Sequence, residues 1–309
     1  MSILWRNAED WMPGPLRGST VAMGNFDGFH LGHQAVAGHA VDWAKEEGRP
    51  AMIATFDPHP VRFFRPDTPP FRLTTLEQRH QLFAEVGARA MIVFHFNAAL
   101  AALEPEAFIR DVLVRRLGFA AIVTGEDFTF GKGRKGNVDT LRDIGALYGL
   151  RAATVSPVGD HGEIVSSSRI RDALRQGECE EAARLLTRPF TIRGEVIHGA
   201  KQGRQLGFPT ANMLLGHYLR PKYGIYAVKG RLPDGRMVKG VANLGIRPSF
   251  DPPVELLEPW FFDFSEDLYG QTIEIELHHF LRPEAKFDDL EALRAQMAKD
   301  ADAARALLA

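Results

Sequence analysis

Residues 19–34 read STVAMGNFDGFHLGHQ, and how this stretch divides decides the fold. Ser19 to Gly24 is short and mostly apolar and ends on glycine, the composition of a strand. From Gln34 to Glu47 the pattern is helical and stops at Gly48. Strand, glycine-rich loop and helix form the opening unit of a parallel α/β layer, whose ligands bind beyond the strand C-termini. Gly24, Gly28, Gly32, His30 and His33 all fall in that loop or at the start of the helix.

Outward from this unit the order repeats. PAMIATF (50–56) reads as a strand, stopped by DPHP, and 75–86 as a helix capped by Gly87. Strands are expected at 90–94, 120–124 and 151–155, with helices at 106–117 and 137–148 between them. The alternation predicts an α/β fold, a doubly wound parallel sheet with helices on both faces. From Ser166 the pattern changes. SSSRIRDALRQG and ECEEAARLL read as two helices, the first ended by Gly177. Beyond Pro189 come TIRGEVI, YGIYAVKGRL, MVKGVANL, EPWFFDF and TIEIELHHF, short segments separated by turn residues. This spacing predicts a second domain, a small antiparallel β-barrel. A C-terminal amphipathic helix from Asp288 follows, with Leu290, Leu293, Met297, Ala301, Ala304 and Leu308 as its apolar stripe. The expected division is 1–187 and 188–309.

Composition narrows the class. A chain of 309 residues with 45% hydrophobic content can bury two cores. A net charge of −2 offers no general attraction for nucleic acid or an anionic membrane, so any phosphate must be held by local sites. The single cysteine, Cys179, rules out an internal disulfide and fits a reducing compartment. The N-terminal MSILWRNAEDW is charged where a secretory signal is apolar, and no run of about 18 apolar residues occurs. A cytoplasmic protein is expected, with neither nucleic acid nor membrane as a partner; its oligomeric state is not given by the sequence.

Two histidines three apart share a helix face, so a metal pair is one reading of His30 and His33. It lacks a third ligand and the HExxH pattern of zinc proteases. Two ordinary structural histidines are another reading. Phosphate binding accounts for more of the residues. A helix N-terminus presents free backbone N–H groups, Gly24, Gly28 and Gly32 admit a nucleotide close to the backbone, and imidazole N–H groups donate to phosphate oxygens. The basic loop GKGRKG (131–136) lacks the GxxxxGK[ST] spacing of a P-loop.

GFHLGH resembles the HxGH signature of the nucleotidyltransferases, and GNFDGFHLGHQ looks like their flavin adenylyltransferase branch. TFDPHP (55–60), GEDFTFGKGRKGN (125–137) and SSSRIR (166–171) follow in that branch's order. The resemblance implies that His30, His33 and Arg169 are catalytic. It implies that Gly24, Asn25, Phe26, Gly28, Gly32, Ser166, Ser167 and Ser168 bind ATP. Arg171 is either a further phosphate ligand or a surface charge. Phe56, Pro58, His59, Asp127, Phe128 and Phe130 would line a flavin pocket; Phe56 and the PHP turn read equally well as core and turn. Ser168 stands where the family usually has threonine, which keeps the hydroxyl.

In the second half HGAKQGRQLGFPTAN (198–212) is a glycine-rich basic loop running into Thr210 and Asn212. In an extended segment these two point the same way, and their oxygens suit Mg²⁺ beside phosphate, although an ordinary turn is the alternative. The stretch is similar to the riboflavin kinase signature GRxLGFPTAN at every specified position. PKYGIYAVKG, GVANLGIRPSF and EPWFFDFSEDLYGQ follow in family order. The resemblance implies Gly203 and Arg204 at ATP, Thr210 and Asn212 at Mg²⁺, and Glu258 as catalytic base, with Glu255 a weaker substitute. Pro259 and Trp260 depart from the family pattern, and proline in a sheet favours edges and bulges, so the aim of the base is in question.

The chain thus resembles the bacterial bifunctional riboflavin kinases and FAD synthetases over most of its length. The implied substrates are riboflavin, FMN and ATP, with ATP as co-substrate and Mg²⁺ as cofactor. An adenylyltransferase with an impaired kinase, or a flavin carrier without turnover, are the alternatives. A class I tRNA synthetase shares an HIGH-type motif, but this chain is short, not basic and lacks a KMSKS-like loop.

Overall fold

The computed structural model describes residues 3–198, 210–247 and 254–309. By packing the chain divides into two compact units, one of residues up to 69 with 75–166, the other of 70–74 with 167–309. The two helices at 167–186 therefore pack with the second unit.

The first unit runs β1 (Leu4–Asn7), β2 (Thr20–Met23), α1 (Leu31–Glu46), β3 (Ala51–Asp57), α2 (Pro60–Phe64), α3 (Leu76–Glu85), β4 (Ala90–His95), α4 (Ala98–Ala101) and α5 (Pro105–Ala107). A π-wound stretch, Phe108–Arg116, continues α5 and leads to β5 (Ala121–Gly125), α6 (Val138–Leu147) and β6 (Arg151–Val155), and a small hairpin of β7 (Gly159–Asp160) and β8 (Glu163–Ile164) closes the unit. The six main strands pair in parallel in the order β1-β4-β3-β2-β5-β6. Successive strands step one way from β2 to β4 and the other way from β5 to β6. The C-terminal end of β2 thus lies at the switch point, where open α/β sheets bind ligands.

Strand alternation sorts the core onto two faces. Val21, Met23, Ala54, Phe56, Ile92 and Phe94 pack under the π-wound stretch and α6; Ala22, Ile53 and Met91 pack under α1 and α3. Each such side chain contributes about 1.5–3 kcal/mol when fully buried, less for alanine. Helix α1 buries Val36, Ala37, Ala40 and Ala44, small residues that bring its backbone close to the sheet. Thr75 caps α3 through a reciprocal capping box with Gln78.

Three features differ from expectation. Helix α1 begins at Leu31, three residues early, because His30 acts as its N-cap. The expected helix at 106–117 is mainly π-wound. Strand β1, unexpected in the charged N-terminus, exists through its pairing with β4.

The second unit contains α7 (Ser167–Gln176), α8 (Cys179–Leu186), β9 (Phe190–Ile197), β10 (Asn212–Leu214), β11 (Gly224–Arg231), β12 (Met237–Arg247), β13 (Val254–Phe261), β14 (Thr272–Arg282) and α9 (Leu290–Leu307). Its six strands close into an antiparallel barrel, β10-β13-β12-β11-β14-β9. Helix α9 packs through Ala301, Ala304 and Leu308 against Val241 and Phe262. Leu290, at the other end of the expected stripe, is 66% exposed, so only the C-terminal half of the stripe is core. Asp300 is buried and held by Arg282, with Nε at 2.9 Å and Nη2 at 2.7 Å. Among the described residues no helix is long and apolar enough to cross a membrane.

Candidate active sites

The loop after β2 is held in an uncommon shape by its aromatic rings. Phe26 and Phe29 have φ of 49° and 47°, left-handed values that bulky residues adopt at a cost of about 1–3 kcal/mol. Burial offsets this cost. Phe26 is 1% and Phe29 3% exposed, and their rings meet edge to face at 6.2 Å. Both also pack edge to face on Phe83 of α3, at 5.8 and 5.1 Å. The backbone is tied down from below: the Asn25 carbonyl accepts from Thr55 Oγ1 at 2.7 Å and from Arg79 Nη1 at 3.0 Å.

Arg79 is 3% exposed, bonds Thr55 Oγ1 at 2.7 Å and lies 4.0 Å from Asp57. Its role as a strut under the loop escaped the sequence reading. The available signal was an arginine beside Gln78 and Phe83 on the inward face of its helix. The Asn25 side-chain oxygen is buried without a hydrogen-bond partner among the described residues, an arrangement that costs about 1–3 kcal/mol unless a ligand supplies a donor.

His30 and His33 stack at 3.7 Å between centroids, 19° from parallel. His33 N–H donates to His30 Nδ1 at 3.4 Å, so Nδ1 is the acceptor in this contact. His30 is 5% exposed, and Gly32 makes room for it: a Cβ there would stand 3.2 Å from the ring. Gly28 takes φ of 87°, and a Cβ at Gly24 would stand 3.3 Å from the Phe26 ring. The loop, the stacked pair and the first turn of α1 form one constellation. Among the described residues no group of three His, Cys, Asp or Glu side chains is placed to hold a metal ion.

Of the residues expected around flavin, Phe56, Phe128 and Phe130 share one aromatic cluster. Phe56 lies 5.2 Å from Phe94, Phe130 is 5.6 Å from Phe108, and Phe128 stacks on Phe130 at 5.8 Å. Phe56 and Phe130 belong to the core, while Phe128 packs against it and is partly buried. Asp57–Pro58 is a cis peptide, and His59 caps α2 by accepting Val61 N–H at 3.2 Å. Asp127 turns back so that its Oδ1 would stand 3.0 Å from a Cβ at Gly125. Lys132 and Lys135 of the basic loop both pair with Glu104, at 3.4 and 3.9 Å.

Ser167 opens α7, Ser166 precedes it, and Ser168 is exposed. Arg169 donates to Glu181 at 2.7 Å, and Arg184 bonds the same carboxylate. Burial would raise the Glu181 pKa, but the two arginines outweigh it and hold the carboxyl below its ordinary range. Arg171 donates to the Phe71 carbonyl at 2.9 Å and lies over its ring. Arg169 and Arg171 belong to the second packing unit, His30 and His33 to the first.

In the barrel, Gly203 and Arg204 lie outside the described residues. Asn212 is buried, and Thr210 half-buried just before it. Met213 pairs with Leu257, and Ala211 N–H donates to the Pro259 carbonyl at 2.9 Å. Continuing this register places Asn212 across from Glu258, while on the other side Glu258 pairs with Asn243. Asn212, Glu258 and Asn243 therefore form a row across three strands, on one face of the sheet. The side-chain oxygen of Asn243 is buried without a hydrogen-bond partner among the described residues.

Pro259 corrects an expectation. It sits inside β13 between β12 and β10, not at an edge, pairs with Ala242 and is buried. Its carbonyl still serves the ladder, so the extended path through Glu258 is kept. Glu255 is engaged elsewhere, by Arg220 Nε at 2.7 Å and by the Tyr223 hydroxyl. Burial and that bond push the Tyr223 hydroxyl up to about 12.

Known proteins match both halves. A family model described as FAD synthetase matches residues 13–169, and one described as riboflavin kinase matches 186–308. A *Bacillus subtilis* relative is 40% identical, covering 91% of this chain and 90% of its own. An *Escherichia coli* K12 relative is 35% identical, over 98% and 96%. A *Haemophilus influenzae* relative is 37% identical, over 94% of each. All three are named bifunctional riboflavin kinase/FMN adenylyltransferase. A solved *Streptococcus pneumoniae* structure titled a macrolide-efflux protein has the same fold, with TM-score 0.87 and 28% identity over 99% of each chain. With a doubly wound sheet carrying the HxGH loop and a barrel in which one strand begins at Asn212, the chain belongs to the bifunctional riboflavin kinase/FMN adenylyltransferase family, which makes FMN from riboflavin and FAD from FMN at the expense of ATP.

Proposed function

We propose that residues 1–187 carry out adenylylation and 188–309 phosphorylation, each at its own constellation and both in the cytoplasm. In adenylylation a phosphate oxygen of FMN attacks the α-phosphorus of ATP, the bond to the β-phosphate oxygen breaks, and pyrophosphate leaves. His30 and His33 donate N–H groups to the charge that grows on the phosphates, a contribution that needs no covalent intermediate. Gly24, Asn25, Phe26, Gly28 and Gly32 shape the backbone cradle, and Ser166, Ser167, Ser168, Arg169 and Arg171 supply further phosphate donors. Phe56, Pro58, His59, Asp127, Phe128 and Phe130 line the flavin side.

In phosphorylation the ribityl 5′-hydroxyl attacks the γ-phosphorus of ATP, Glu258 takes its proton, and ADP leaves. The observation that carries this assignment is the row of Asn212, Glu258 and Asn243 across neighbouring strands. The hydroxyl of Thr210 and the amide oxygen of Asn212 are hard oxygen donors of the kind Mg²⁺ takes. Thr210 and Asn212 would hold Mg²⁺, which when bound shields the phosphate charge. Gly203 and Arg204 would contact the ATP phosphates.

A chromatographic flavin assay with Mg²⁺-ATP, fed riboflavin and FMN separately, tests the assignment. His33→Ala should lower FAD formation by about 100-fold or more and spare FMN formation. Equal loss of both activities would reject separate sites. Glu258→Gln should cut FMN formation to a small residual rate and leave FMN-to-FAD conversion intact.

A further inference from the structure

The kinase base has a support that the motifs did not reveal. Arg247 ends β12 on the same strand face as Asn243 and Gly245. Its Nε donates to Glu258 Oε2 at 2.5 Å, and its Nη2 pairs with the same oxygen. Its Nη1 reaches Glu284 Oε1 at 3.1 Å. One planar guanidinium thus bridges two carboxylates, a geometry that a lysine ammonium cannot reproduce in full. Gly245 makes the second contact fit: a Cβ there would stand 2.3 Å from Glu284 Oε1, so that carboxylate rests on bare backbone. Glu258 Oε1 takes no hydrogen bond among the described residues. Burial opposes the charge on Arg247, and its bonds to Glu258 and Glu284 more than compensate, raising its pKa.

We infer that Arg247 is a positioning residue for the kinase step: it fixes Glu258 through Oε2 and leaves Oε1 to receive the hydroxyl proton, while Glu284 holds Arg247 in place. The inference rests on the reading of Glu258 as the base. In the sequence the orienting pair is divided between GVANLGIRPSF and the segment after β14.

The test uses the full-length enzyme with Mg²⁺-ATP. Arg247→Ala should lower kcat for riboflavin phosphorylation by about 30-fold while KM for riboflavin stays within about 3-fold, the signature of a lost transition-state arrangement. Arg247→Lys should recover part of the loss. Glu284→Gln, a milder change that keeps the guanidinium, should lower kcat by about 3- to 10-fold with KM unchanged. FMN-to-FAD conversion should be unaffected in all three. In a Glu258→Gln background, Arg247→Ala should add less than about 2-fold to the residual phosphorylation, because residues acting as a unit are not additive. An Arg247→Ala enzyme with unchanged kcat, a loss confined to KM, or an undiminished effect without Glu258 would overturn the inference. A Glu258→Gln enzyme that phosphorylates riboflavin normally would overturn the base assignment instead.

Discussion

At the scale of single residues, the loop after β2 is a balance between backbone strain and ring burial. Phe26 holds an unfavourable φ because its ring has Phe29, His33 and Phe83 around it. Phe26→Ala should therefore cost about 3–5 kcal/mol in chemical denaturation, as expected for emptying a core aromatic site. A loss below about 1 kcal/mol would mean that the ring is not what holds the loop. Cys179 is a second case. It is buried, and burial first, then the neighbouring Glu180, push its thiol up to about 12. The native protein should resist a thiol reagent at pH 8 and react with one equivalent once unfolded; rapid native labelling would contradict this. The glycines and histidines of the loop were legible as a motif at the end of a strand. The strain at Phe26 and Phe29 was not, because φ depends on the partners that bury the rings.

At the scale of elements, α1 is joined to β6 through its C-terminal cap. Glu47 accepts from Arg151 Nη1 at 2.6 Å, from Trp43 Nε1 at 2.7 Å and from Arg49 Nε at 2.7 Å. These bonds, Arg151's the largest, lower its pKa to about 2. Because the folded value lies below the unfolded one, the stabilisation is complete above about pH 4.5 and is lost as pH falls towards 2. Glu47→Gln should flatten the fall of the thermal midpoint between those limits, and identical acid slopes for the two proteins would refute the link. Helix α9 depends likewise on Asp300, and Asp300→Ala, which strands Arg282, should cost about 3 kcal/mol in the unfolding of the barrel unit. The longer elements were legible from periodicity and glycine stops. The three-residue strand β10 was not, because its existence depends on β9 and β13 on either side.

At the scale of the molecule, separate constellations proposed for the two steps imply activities that can be separated and recombined. Neither His33→Ala nor Glu258→Gln alone should convert riboflavin to FAD efficiently, but a mixture should, with FMN passing through solution. A mixture that makes no more FAD than the separate variants would show that the steps depend on one intact chain.

What the sequence by itself determined about this protein was its division into two fold types, the HxGH loop at the end of a strand and the PTAN stretch within the segment that forms the barrel. These are local patterns of spacing and residue type, written within a few turns of chain. Tertiary structure alone decided that Arg79 supports the loop at Asn25, that Pro259 continues a strand inside the barrel, and that Arg247 and Glu284 reach Glu258. Such contacts join residues far apart in the chain, and they arise only when strand register and burial bring separate segments to the same face.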